Sequence, residues 1–260
     1  MKRDIYQKLL SWKQSELRKP LVLRGARQVG KTYILKEFAK NEYDNYVYLN
    51  FEDDPTLSTF FSERLDKDNI IRSLSIYSGG IKITPGSTLL IFDEVQASNN
   101  ALNSLKYFHE NANEYHIAAA GSLLGIKLSG KKSFPVGQVT FLDLYPLSFP
   151  EFLEALGKVE LRQLIDGTGN DFSPIPEPFH IELTEILKYY YFTGGMPQAV
   201  FTYNKTKNFE DTRKIQKDII DSYLLDFSKH AEKSQVMKIS SVWHSIPVHL
   251  SKENKKFIFS

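Results

Sequence analysis

Cysteine is absent from the 260 residues, which excludes disulfides, thiolate metal sites and cysteine nucleophiles together and fits a reducing cytoplasm. No run of eighteen or more apolar residues occurs, so no membrane-spanning helix is expected. Met1-Lys2-Arg3-Asp4 leads into a mixed polar segment rather than the apolar core of an export signal. Charge of one sign is missing too: 33 Lys and Arg face 31 Asp and Glu, a net +2, too mild to argue by itself for a nucleic-acid partner. The histidines at positions 109, 116, 180, 230, 244 and 249 lack metal-ligand spacing and read as surface or core residues. No internal repeat or low-complexity tract interrupts the chain. What is present, 42% hydrophobic and 25% charged residues, is the balance of a globular protein large enough for one domain with an appendage.

Apolar periodicity organises the chain. Ile5, Leu9 and Trp12 recur at helical spacing, and this first helix ends before Lys19-Pro20. Compact apolar runs follow at Leu21–Leu23, Tyr46–Asn50, Thr88–Phe92, His116–Ala120 and Val139–Leu144. Helical patterns at Lys31–Lys40, Thr56–Ser75 and Asn100–Ala112 lie between them. Strands alternating with helices predict an α/β fold with a mostly parallel sheet, and runs without alternation suit strands buried on both faces. Beyond Tyr145 the character changes. Ser148 and Glu151 have the spacing of a capping box, a Gly- and Pro-rich loop spans 167–178, and a helical pattern runs from Phe179 to about His230, broken at Gly194-Gly195-Met196-Pro197. This divides the chain into a core at 1–145, a helical subdomain at 146–235 and a segment at 236–260, where Lys256–Ser260 reads as the start of an unfinished strand.

Gly25-Ala26-Arg27-Gln28-Val29-Gly30-Lys31-Thr32 matches the phosphate-binding pattern G-x-x-x-x-G-K-[ST]. Glycines let such a loop tighten until backbone N–H groups aim at phosphate oxygens. Lys31 would reach the β- and γ-phosphates, Thr32 would offer a hydroxyl to Mg²⁺, and the helix starting at Lys31 would turn its positive end to the same anion. Thr88–Phe92 ends in Asp93-Glu94, at the strand tip where a parallel sheet presents its ligand crevice. Asp93 would orient a water on Mg²⁺, and Glu94 would polarise the attacking water. Ser122, after the next strand, would reach the γ-phosphate or that water; the alternative is a turn serine capping Leu123 onward. Asn50 and Glu52, at the second strand's tip, are either comparable polar contributors or a solvated strand end.

These residues carry a resemblance. Arg24–Thr32, Tyr48-Leu49-Asn50-Phe51-Glu52, Phe92-Asp93-Glu94-Val95-Gln96, Ala120–Gly125, Pro135–Val139 and Leu144–Phe149 together resemble the bacterial and archaeal AAA-type ATPases carrying a C-terminal domain of unknown function called DUF4143. The resemblance spans roughly residues 15–260. It implies a P-loop NTPase of the additional-strand class with sheet order 5-1-4-3-2, then a winged-helix-like region and a nuclease-like C-terminal domain. On that pattern this chain stops at the start of the wing. It also implies that Ser122 stands at the first γ-phosphate sensor and that Gly194–Pro197, with Pro197, lies near the base or phosphates. One departure is Gln138, where relatives are expected to carry arginine.

Phosphoryl transfer usually needs a further cation, often an arginine finger. Arg24, Arg27, Arg72, Arg162 and Arg213 are candidates, and a finger donated by a neighbouring subunit would make activity depend on a homo-oligomer. The leading reading is an ATP-binding, Mg²⁺-dependent ATPase working as a conformational switch. A second is a DNA-binding regulator in which ATP sets conformation, supported by Lys205, Lys207, Arg213, Lys214 and Lys217 and by Lys252, Lys255 and Lys256 near the expected wing. The bland account of such runs is a solvated helix face. A small-molecule kinase is a third, weakened by the lack of an acceptor-site motif. No Asn-Lys-x-Asp guanine signature occurs, favouring ATP over GTP, and contacts to adenine are expected from the N-terminal segment.

Overall fold

The computed structural model describes residues 1–62, 65–122, 137–168, 174–230 and 233–251. Its centre is a parallel sheet of five strands: β1 (Leu21–Gly25), β2 (Asn45–Asn50), β3 (Thr88–Asp93), β4 (His116–Ser122) and β5 (Thr140–Leu144). Their order is β2-β3-β4-β1-β5, the 5-1-4-3-2 order expected of the P-loop class. The unbroken apolar runs are explained by double-sided burial. Val22, Leu90, Phe92 and Ala119 face one core, while their neighbours Leu21, Leu23, Leu89, Ile91, Ala118 and Ala120 face the other.

Helices α1 (Ile5–Gln14) and α2 (Lys31–Glu42) cover that second face, and α1 buries the Ile5, Leu9 and Trp12 named by its periodicity. The first face is covered by α3 (Lys67–Tyr77) and α4 (Asn99–Asn111). The single helix expected over Thr56–Ser75 is instead two pieces, a 3-10 segment at Pro55–Phe61 and α3. Each has its own cap: the Asp54 side chain accepts from the Thr56 N–H and that of Asp66 from the Asn69 N–H. Phase gives the reason. Leu57 and Phe61 bury one face and Ile70 and Leu74 another, and one helix turning about 100° per residue would set Ile70 roughly opposite Leu57.

The helical subdomain comprises α5 (Phe149–Ala155), α6 (Val159–Gly167), α7 (Glu177–Thr193), α8 (Pro197–Thr206) and α9 (Phe209–His230). It has its own apolar centre around Leu147, Phe152, Leu183, Ile186 and Val200. The capping box forms as read: the Ser148 N–H donates to Glu151 Oε2 at 2.9 Å and the Glu151 N–H to Ser148 Oγ at 3.4 Å. A last helix, α10 (Lys233–Leu250), runs across the boundary drawn at 235/236. The strand expected at 256–260 lies outside the described residues, as do the Lys252, Lys255 and Lys256 positions.

A buried ion pair fastens the subdomain to the core. Arg3 Nε donates to Glu151 Oε1 at 2.9 Å, with both side chains 7% exposed, and the Asp4 N–H reaches the same oxygen at 2.8 Å. Arg3 also donates to the carbonyls of Val29 and Tyr145. Removing one partner strands the other charge, which typically costs about 3–5 kcal/mol. Glu151→Ala is therefore expected to lower unfolding free energy by about that amount, read from urea unfolding, with Glu151→Gln losing less because it keeps an acceptor for the Asp4 N–H.

Candidate functional site

The strand register sets the site. Gly25 at the end of β1 lies between Ser122 of β4 and Leu144 of β5, and Asn50 is beside Asp93, so the strand ends gather along one carboxyl edge. The chain leaves β1 through Gly25, where an added Cβ would come 2.3 Å from the Leu144 carbonyl oxygen; no other residue type fits there. Gln28 has φ 61° and Gly30 φ 97°, the left-handed positions that curl the loop between them. Gly30 is the N-cap of α2, whose first turn receives no side-chain cap. That leaves a helix N-terminus suited to an anion. Val29 points into the core.

Lys31 is buried at 6% exposure. Its Nζ donates to the carbonyls of Gly25 at 3.1 Å and Ala26 at 2.9 Å. Burial lowers its pKa, and the nearby charges of Glu94 and Asp93 act in the opposite direction. One residue on, Thr32 Oγ1 donates to Asp93 Oδ2 at 2.6 Å. A hydroxyl and a carboxylate at that separation are the oxygen pair a magnesium site uses, beside a buried cation and an uncapped helix end. The donor set fits a metal–polyphosphate ligand.

Asp93 is 3% exposed. The same Oδ2 accepts a second hydrogen bond, from Tyr48 Oη at 2.8 Å, and the Lys36 ammonium lies 3.4 Å over the Tyr48 ring. Burial raises the Tyr48 pKa first, and the Asp93 charge adds to it, so the phenol remains a donor. Sequence reading passed over Tyr48 as part of an apolar strand. Its signal is the spacing to Asn50: two residues apart on a strand, the pair shares a face. Glu94 follows in a left-handed conformation, φ 47° and ψ 42°, and the Gln96 side-chain amide donates to its carboxylate.

The other positions sort as follows. Asn50 caps its own turn, its Oδ1 accepting from the Glu52 and Asp53 N–H groups. Glu52 reaches the phosphate loop, 3.0 Å from Arg27. Ser122 has the strand-end backbone position expected of it, while its side chain lies outside the described residues. A Cβ placed on Gly30 would meet Pro197 at 3.8 Å, so the Gly194–Pro197 turn lies against the loop. Of the five arginines, Arg24 forms two hydrogen bonds with Asp143 and Arg162 binds Asp4, Glu154 and Asp166. Arg72 and Arg213 are exposed, and Arg213 donates to Gln216. Arg27 alone of the five belongs to the loop. Gln138 lies in the turn before β5. Beside α2, a cleft of about 670 Å³ is lined by Arg3, Tyr6, Tyr33, Ile34, Glu37 and Arg162 among others. Among the described residues, no His, Asp and Glu cluster suits a further metal, and no helix is long and apolar enough to cross a membrane.

Residues 17–153 match the family described as AAA domain. Residues 184–260 match a domain of unknown function, DUF8612, a different one from the DUF4143 of the sequence resemblance. No curated protein matches. Among solved structures, the chain is similar to a Walker-type ATPase of Pyrococcus abyssi, at 14% identity over 96% of this chain and 77% of that one, TM-score 0.49. It is also similar to PCH-2 of C. elegans (16% identity, 83% and 65% covered, TM-score 0.43). A third is the RuvB Holliday junction branch migration motor of Thermotoga maritima (16%, 84% and 69%, TM-score 0.45).

Proposed function

The chain belongs to the AAA domain family, a family of P-loop ATPases that accounts for more than half of it, and from that premise we propose that it binds ATP with Mg²⁺ and hydrolyses it to drive a conformational switch. The observation that carries this reading is the shared oxygen at Asp93. Thr32 and Asp93 are 2.6 Å apart beneath an uncapped helix N-terminus, with a buried lysine beside them.

In this reading Thr32 and Asp93 would hold the metal, which would supply neutralisation of phosphate charge. Lys31 exchanges the Gly25 and Ala26 carbonyls for phosphate oxygens. Glu94 takes the proton of the attacking water, Ser122 contacts the γ-phosphate, and Pro197 packs near the bound nucleotide. Tyr33 and Ile34 open the cleft beside α2, which we assign to the base, in keeping with contacts from the N-terminal segment. The DNA-regulator alternative gains nothing from the subdomain's lysines: Lys214 pairs with Asp211, Lys207 donates to Asn204 at the end of α8, and Lys217 is exposed on α9, which also carries Glu210 and Asp218.

The test is phosphate release by purified protein with ATP, with and without Mg²⁺. Turnover that needs Mg²⁺ is expected; phosphate appearing on a metabolite instead of in solution would replace hydrolysis with kinase chemistry. Tyr48 supplies a finer check. Residues that hold a metal ligand in place commonly change metal affinity or activity about 10–100-fold when removed. Tyr48→Phe is expected to raise the Mg²⁺ concentration for half-maximal turnover about tenfold, with nucleotide binding in EDTA unchanged. An unaltered Mg²⁺ dependence would exclude the phenol from this role.

A further inference from the structure

Helix α9 touches the phosphate loop from outside along one face. Ser222, Tyr223 and Asp226 lie within one turn of each other, and each meets the middle of the loop. Gln28 Nε2 donates to Ser222 Oγ at 2.7 Å. Tyr223 Oη donates to the Arg27 carbonyl at 2.8 Å. The Arg27 guanidinium is 2.6 Å from Asp226 and 3.0 Å from Glu52. Two turns earlier on α9, Gln216 donates to the Phe192 and Thr193 carbonyls at the end of α7, next to the Gly194–Pro197 turn. The same helix thus straps both the loop and the turn beside Gly30.

Tyr223 faces two ways. Its hydroxyl is on the loop, and its ring stacks on Trp243 of α10 with centroids 5.8 Å apart at 16°. Phe227 is edge-on to Trp243 at 5.2 Å. Whatever moves Tyr223 off Arg27 changes the surroundings of Trp243.

The charges give the direction. Two carboxylates share one guanidinium at the rim of the loop, leaving that cluster with one net negative charge. A Mg²⁺–polyphosphate in the loop would also be negative, and such charges act over a screening length of about 10 Å in 0.1 M salt. It attracts Arg27 and repels Asp226, and the side chains of this pair are 26% and 18% exposed, so solvent damps the effect only in part. Phosphate binding and docking of α9 therefore oppose each other, and by linkage each weakens the other by the same factor.

We propose that Ser222, Tyr223 and Asp226 form a latch that holds α9 and α10 on the phosphate loop and is released when a nucleoside triphosphate binds there. The inference rests on the nucleotide-binding reading above and assigns that site its regulation. Release is carried to α10 through the Tyr223–Trp243 stack, within the region that matches DUF8612.

The experiment uses the full chain and a slowly hydrolysed ATP analogue with Mg²⁺. Binding is measured by calorimetry, and Trp243 by fluorescence, with Trp243→Phe separating its signal from that of Trp12. Asp226→Asn is expected to tighten analogue binding about tenfold, within the usual range of such couplings. Tyr223→Phe should tighten it less, in the same direction, and serves alone if the first variant does not fold. In the parent protein, saturating analogue should change Trp243 emission; in Asp226→Asn most of that change should be present before the analogue is added. Unchanged or weaker binding in both variants would overturn the latch while leaving nucleotide binding intact, and so would a Trp243 signal that ignores saturation. A parent protein that binds no analogue would remove the premise and the latch together.

Discussion

Lys31→Ala is expected to lower kcat/KM for ATP hydrolysis by about 10²–10³-fold, the loss typical when one preorganised charge or donor is removed from a transition state. Calorimetric binding of MgATP should weaken as well, because on the proposed reading the ammonium would contact phosphate oxygens in the ground state and in the transition state alike. Lys31 is suited to this. It is buried, its burial lowers its pKa, and it donates to two loop carbonyls, those of Gly25 and Ala26. Those carbonyls hold the amino group in place inside the loop, where an incoming phosphate would meet it. Removing the side chain leaves Gly25 fixed by its contact with Leu144, so the loop keeps its entry from β1. Thermal unfolding should therefore change much less than turnover. Hydrolysis within tenfold of the parent would exclude Lys31 from the site. Lys31→Arg is expected to fail nearly as badly, since a planar fork does not replace a compact point charge within a tight loop.

What could be read in advance was local. The five strands are legible because each is a short apolar run bounded by turn or helix signals, and the loop is legible because its glycines and lysine have fixed roles at fixed spacing. The capping box of Ser148 and Glu151 was visible for the same reason, and it forms. The features missed are those in which distant residues meet. Tyr48 approaches Asp93 because β2 lies beside β3 in a register that pairs Asn50 with Asp93, which a strand's own composition does not encode. Arg27 reaches from the loop to Asp226, and Gln28 and Ser222 meet across a sequence separation of 194. The Thr56–Ser75 pattern has helical spacing but not one continuous phase, and Asp66 caps a second helix within it. Gly194–Pro197 was read as a helix-breaking turn or a nucleotide contact, and its position against Gly30 is compatible with both.

Glu94→Gln separates chemistry from binding, which Lys31→Ala does not. The side chain follows β3 in a left-handed conformation that costs a non-glycine residue about 1–2 kcal/mol. That geometry is held from both sides: the Glu94 N–H donates to Asp93 Oδ1 at 3.1 Å and the Ala97 N–H to the Glu94 carbonyl at 2.9 Å. A strained residue kept in place by its neighbours suits a group that must aim at a reacting atom. The Gln96 amide, donating to the carboxylate, fixes its direction and leaves the other oxygen for water. The glutamine substitution preserves shape and hydrogen bonding but removes the proposed base, so turnover should fall about 10²–10⁴-fold, the range for general-base assistance. MgATP affinity should stay within a few-fold of the parent, because in the proposed role the carboxylate acts on the attacking water and not on the phosphates. Single-turnover kinetics beside calorimetry will therefore show ATP bound and unhydrolysed. On the latch reading, that trapped complex should also hold Trp243 in its released environment. Turnover at the parental rate would hand the base to another residue, with Glu52 on Arg27 the next carboxylate along the same strand edge.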